Sequence, residues 1–220
     1  MPHLNSSLDL RISVLAGNAV AVLNVAYAIV LSVGLLTLPS PELPIQNPWF
    51  TAMELLILGI VPTMVVLAVG LHAWVPCERK SHAVLSILFI SMCALVTCCV
   101  HFAVLTLSRQ PTFFTGSWPT LVFAFRWPSV VYALDILAWD VFFPLGALFA
   151  ALAIQGLGLA RLARNLLFGS AALAFIGLAG VPLANMNVRN IGIIGYVLLY
   201  PVVAALLSVM LQREATHSAV

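Results

Sequence analysis

The stretch VVYALDILAWDVFFPLGALFAALAI, residues Val130–Ile154, decides the fold. It is longer than the roughly 20 apolar residues a helix needs to cross a bilayer. It lacks the alternating polarity of a barrel strand, which would also end after about 9–11 residues. Yet it carries two acids, Asp135 and Asp140. A helix of this kind belongs in a membrane, where an acid is expensive and therefore informative.

Working outward, five more segments have the same character: Ile12–Leu38, Phe50–Val75, Ala83–Leu107, Leu166–Ala184 and Ile191–Leu211. The chain of 220 residues is 63% hydrophobic and 7% charged, with nine basic and seven acidic residues. An ordinary soluble domain is about 25% charged. So few charges cannot cover a water-soluble surface, which excludes a soluble globular enzyme, a disordered chain and a nucleic-acid binder. A net charge of +2 makes no basic patch. The expected fold class is all-α: a single polytopic membrane bundle of about six helices, residues 1–220 forming one integral-membrane domain. No convincing internal repeat divides it.

Lysine and arginine set the orientation. One side holds Arg11, Arg79, Lys80, Arg161, Arg164 and Arg213, and the other holds Arg109, Arg126 and Arg189. Both termini are therefore expected on the cytoplasmic side of a multi-pass protein, in the endoplasmic reticulum if the cell is eukaryotic. The first apolar run is too long for a signal-peptide core. The sequon Asn5-Ser6-Ser7 is then cytoplasmic and unused. The loop Ser108–Ser129, with Phe113, Phe114, Trp118, Phe123, Phe125 and Trp127, is too apolar for a solvated loop and is expected to lie in the interface or fold back over the helices.

An ionisable group inside a span costs about 2.5–3.5 kcal/mol on insertion scales, so it points to function by default. Glu54, His72, His101, Asp135 and Asp140 are such groups, and Asn18 and Asn24 are neutral polar residues in the first span. In the proposed topology Glu54, His101 and Asp135 share the outer third of the bilayer on three helices. Arg126, Asn185, Asn187, Arg189 and Asn190 crowd the same mouth, which suggests a pocket there. At about 100° per residue, Tyr132, Asp135, Trp139 and Phe142 form one stripe, while Asp135 and Asp140 point about 140° apart. Each carboxyl sits among apolar and aromatic neighbours, surroundings that suit a neutral acid acting as proton donor. The bland alternative is a bridge between helices, Asp135 pairing with His101, Arg126 or Asn24. His101 reads more readily as a hydrogen-bonding bridge than as a catalyst or ligand, and His72 as an interfacial residue.

Other chemistries lack their motifs. There is no metalloprotease His-Glu-x-x-His, no nucleophile elbow, no Asp-rich cluster for a magnesium diphosphate and no nucleotide fingerprint. Cys98-Cys99-Val100-His101 is no metal site, because adjacent side chains on a helix diverge and no second ligand pair follows. Cys77 is alone in a loop, so no structural disulfide is expected. Gly177, Gly180, Gly192 and Gly195 suit close helix packing. No metal and no cofactor are expected.

What remains is proton chemistry on a hydrophobic molecule. Protonating an alkene or epoxide makes a carbocation, which aromatic faces stabilise and a dry cavity protects. Glu54 in the second span, the Tyr132–Phe143 segment with its two acids, and the size and hydropathy of the whole chain resemble the small integral-membrane terpene cyclases of fungal meroterpenoid pathways. The resemblance is one of architecture. It implies a metal-independent cyclisation of an isoprenoid chain, with a hydrophobic small-molecule substrate, surrounding membrane lipid and pathway enzymes in the same membrane, and no nucleic acid. On this reading Asp135 donates the proton, Asp140 and Glu54 assist, and Tyr132, Trp139, Phe142 and His101 bind the substrate. Three other readings stay open: a small proton-coupled transporter or lipid-binding protein, a sterol or lipid double-bond isomerase, and a structural membrane subunit.

Overall fold

The structure is a computed structural model that describes residues 2–40, 45–107, 110 and 118–217, with the side chains of 2–9, 118, 119 and 217 left aside. Glu42, Arg109, Phe113 and Phe114 lie outside the described residues, as do the side chains of Asn5 and Trp118.

The elements run α1 (Pro2–Leu36), α2 (Trp49–Trp74), a 3-10 turn (Cys77–Arg79), α3 (Lys80–Thr106), α4 (Trp118–Phe123) and α5 (Val130–Ile136). A π-helical turn, Leu137–Phe142, joins α5 to α6 (Phe143–Ala153), and α7 (Leu159–Leu178), α8 (Met186–Arg189) and α9 (Ile191–Ile193) follow. A second π-helical turn, Ile194–Leu199, leads into α10 (Tyr200–His217). No strand occurs among the described residues. Six helical stretches are long and apolar enough to cross a membrane: Leu10–Leu36, Trp49–Trp74, Cys77–Thr106, Val130–Ala153, Leu159–Leu178 and Met186–Thr216.

The fold class is therefore the all-α membrane bundle that the sequence implies, with one span displaced. Its fifth helix starts at Leu159 and ends at Leu178 instead of covering 166–184. Arg161 and Arg164 occupy its first two turns, where a helix end at the interface tolerates them, so charge alone misplaces the boundary. The helix stops before a run of turns in which Ala184 takes φ 49°.

The spans close into a ring. α1 packs on α2 and α10, α2 on α3, α3 on α6, α6 on α7, and α7 on the sixth span. Phe143, Ile60, Met64, Leu67, Leu167 and Val203 fill the centre and are almost fully buried. Outward faces carry Leu15, Val22, Leu95 and Phe102, each more than 60% exposed. Apolar exposure on that scale around a whole bundle suits lipid, not water.

The two π-helical turns share a sequence context. Each is followed directly by an aromatic residue and proline, Phe143-Pro144 and Tyr200-Pro201. Proline has no N–H to complete an i−4 bond and crowds the preceding turn, so the ladder opens there. The wide turn is visible in its hydrogen bonds: the Phe143 N–H donates to the Ala138 carbonyl, and the Tyr200 N–H to the Gly195 carbonyl.

Candidate functional site: an ionic chain across four spans

Near one end of the bundle, five ionisable side chains form a continuous chain. His101 Nδ1 on α3 lies 2.9 Å from Glu54 Oε2 on α2. The other ring nitrogen, Nε2, lies 3.6 Å from Asp135 Oδ1 at the end of α5. Arg189, at the start of the sixth span, donates from Nη2 to Asp135 Oδ2 at 3.0 Å and from Nε to Asp140 Oδ2 at 3.0 Å. Four spans are thus tied together by three acids, an imidazole and a guanidinium.

The chain is dry. Glu54, His101, Asp140 and Arg189 are 3%, 6%, 0% and 5% exposed. Only Asp135, its side chain 13% exposed, reaches the surface of the cluster. Where the sequence pattern points to an open pocket, most of the ionisable groups are instead enclosed. In so enclosed a site, removing one partner leaves the other charge unpaired, the costly case for buried ion pairs.

The π-helical turn explains why both aspartates belong to one site. On a regular helix positions five apart diverge by about 140°. In a π-helical turn the i and i+5 positions are linked by the hydrogen bond itself and lie nearly above one another. Asp140 lies within this wide turn and Asp135 two residues before it, and both meet the same guanidinium, so the expected divergence of the two acids is corrected.

Local capping sets each partner in place. Ser129 caps α5: its hydroxyl donates to the Ala124 carbonyl and accepts from the Tyr132 N–H at 3.2 Å. Asn185 caps α8, its Oδ1 accepting from the N–H groups of Asn187 and Val188 at 3.0 and 3.4 Å. Two glycines then let the arginine segment approach. A Cβ on Gly180 would lie 2.4 Å from the Arg189 nitrogen, and one on Gly192 would lie 2.6 Å from Asp140 Oδ1. That Oδ1 is buried and has no hydrogen-bond partner among the described residues.

Aromatic rings enclose the chain. Phe125 stacks on the His101 ring, centroids 5.0 Å apart, and itself meets Phe50 at 6.4 Å. The Tyr132 ring receives the Arg189 guanidinium at 5.1 Å. Trp139 packs against Phe143 and Tyr196, while Phe142 is half-buried beside this core. Of the candidate residues, then, Glu54, His101, Asp135, Asp140 and Tyr132 converge, and Trp139 and Phe142 form the apolar backing.

Other expected partners are elsewhere. Asn24 donates to the Val20 carbonyl at 2.8 Å on its own helix, Asn18 faces outward and Arg126 is exposed. The residue that sequence reasoning left out of the acid cluster is Arg189, counted only among the basic residues of the outer mouth. Its signal was available: two acids buried together demand a counter-charge at the same depth. Among the described residues no His, Cys, Asp and Glu group is arranged to hold a metal ion.

These observations define the class: a multi-pass helical membrane bundle with a buried ionic chain at one end. Compared with protein-family models, with curated proteins and with solved structures, the sequence matches none.

Proposed function

We propose that this protein is a membrane-embedded acid catalyst that protonates a hydrophobic, isoprenoid-like substrate, with Asp135 as the group that delivers the proton. The observation that carries this reading is the His101 ring held between two carboxylates, one at each nitrogen. An imidazole so placed can accept a proton on one side and release it on the other. Glu54 and His101 then form a reserve behind Asp135, the most accessible member of the chain.

In the step itself the alkene π electrons take the proton from the Asp135 carboxyl, forming a new C–H bond and a carbocation. Arg189 stabilises the aspartate left behind. Closure onto a second double bond and transfer of a proton from the final cation to the Asp135 carboxylate give a cyclised isomer of unchanged mass and restore the acid. The architectural resemblance to membrane terpene cyclases supports the choice of substrate class. Asp140 acts as the second counter-ion of Arg189, a positioning role rather than that of a second donor.

The test uses membranes carrying the wild type, Asp135→Asn, His101→Gln and Glu54→Gln, incubated with farnesylated aromatic substrates and analysed for isomers of equal mass. Wild type is expected to cyclise, and Asp135→Asn to fall by about 10²–10⁴-fold, the usual contribution of a positioned proton donor. Turnover by a folded Asp135→Asn variant at the wild-type rate defeats the proposal.

A second reading, a proton-coupled transporter, is favoured by the continuity of the chain across four spans. It predicts substrate-dependent collapse of a pH gradient in proteoliposomes, with no change in the substrate.

A further inference from the structure

At the opposite end of the bundle a hollow of about 410 Å³ opens between the third, fourth and fifth spans. Its polar lining is Arg79, Gln155 and Arg164, and its apolar lining includes Leu152, Ile154 and Phe168. No acid lines it. That contrasts with the buried Arg189, which is matched by two aspartates.

The two arginines are prepared differently. Arg79 is fixed: Nη1 donates to the Leu152 carbonyl at 3.4 Å, and with the Gln155 amide turned to suit its donors, Nε and Nη2 reach the Gln155 oxygen at 2.6 and 2.9 Å. A guanidinium has five N–H donors, so two remain unused. Arg164, half-buried on α7, forms no hydrogen bond or ion pair among the described residues. The α7 N-terminus begins in the same region at Leu159, with no side chain capping it. Its exposed N–H groups add to the positive field. One turn below Arg164, Phe168 continues the lining as an apolar wall.

We propose that this hollow binds the phosphate of an anionic lipid, with Arg79 and Arg164 on the headgroup and Leu152, Ile154 and Phe168 against the first acyl carbons. Three observations converge on that ligand. Neither cation has an ion-pair partner among the described residues, the basic pocket lies between span ends, where lipid headgroups are expected, and the apolar wall suits a lipid better than a free phosphate. The volume lies within the roughly 300–1,000 Å³ of ordinary small-molecule sites. The proposal is independent of the acid chemistry at the other end.

The experiment measures thermal unfolding of the detergent-purified full chain with added phosphatidylglycerol, phosphatidylcholine or inorganic phosphate. Phosphatidylglycerol is expected to raise the melting temperature saturably, and phosphatidylcholine to leave it unchanged. Arg164→Gln is expected to raise the half-saturating concentration about fivefold, the worth of one arginine at an anionic surface. Arg164→Lys keeps the charge and most of the effect, which guards against a folding defect in the glutamine variant. Arg161→Gln, exposed on the preceding turn of α7 and outside the lining, is expected to change nothing. A shift with inorganic phosphate equal to that with phosphatidylglycerol keeps the phosphate site and assigns it to a free anion. Equal shifts with both lipids, or equal losses in Arg161→Gln and Arg164→Gln, overturn the proposal.

Discussion

The two ends of this bundle use arginine in opposite ways. At one end Arg189 is 5% exposed and spends its donors on two aspartates, drawing the fourth and sixth spans together. At the other, Arg79 reaches the Leu152 carbonyl at the end of α6, while Lys80 donates to the carbonyls of His72 and Ala73 at the end of α2. Those carbonyls are the unsatisfied acceptors that every helix leaves at its C-terminus, so cations there complete the helices. A buried cation demands acids of its own, whereas an interfacial one can rest on backbone carbonyls. Asp135 and Asp140 pair with Arg189 for that reason, and Glu54 joins the same end through His101.

The comparison is broken most forcefully by Arg189→Met. It strands Asp140 and Asp135 without their cation, and the expected loss of unfolding free energy in detergent is about 3–5 kcal/mol. Arg189→Lys is expected to recover only part of it, because one ammonium cannot repeat the two-sided geometry of the guanidinium. Next in size is Gly192→Ala, whose methyl would lie 2.6 Å from Asp140 Oδ1. Crowding a packed site in this way typically costs about 1–3 kcal/mol. Its control is Gly59→Ala, where the nearest neighbour is Leu23 Cδ1 at 3.6 Å. There the better helix former is expected to be neutral or to gain up to about 1 kcal/mol. Smallest is Arg79→Gln, expected to change the same unfolding curve by less than about 1 kcal/mol, as for other exposed charge contacts. Matching losses from Arg79→Gln and Arg189→Met would remove the distinction between the ends.

Much of this was legible in the chain. Hydropathy and length establish six helices, because a span needs a minimum run of apolar residues whatever its neighbours. Depth along those spans placed Glu54, His101 and Asp135 at one level, and they do meet. Angular position was less legible, because the 100° rule assumes an unbroken α-helix and Leu137–Phe142 is a π-helical turn. The cue lay in Phe143-Pro144, repeated at Tyr200-Pro201, where proline follows an aromatic residue inside a long apolar run. Arg189 was harder to assign, since a basic residue near a span end reads as a topology signal until its acids are known to lie at the same depth. Asn24 misleads in the other direction. It is buried and polar, yet it satisfies itself on its own backbone.

The wide turn beneath Asp140 also makes the site a matter of counting. A π-helical turn is an α-helix with one residue too many, so deleting any one of Leu137, Ala138 or Val141 would restore a regular helix and leave the hydropathy almost untouched. Deleting Val141 would leave Asp135 and Asp140 five positions apart on a regular helix, about 140° from one another, whereas deleting Leu137 or Ala138 would make them an i, i+4 pair on one face. Two chains of indistinguishable composition and span pattern would differ in whether the ionic chain exists at all. In this architecture a single-residue gap between related sequences carries more meaning than many substitutions on the lipid-facing surface.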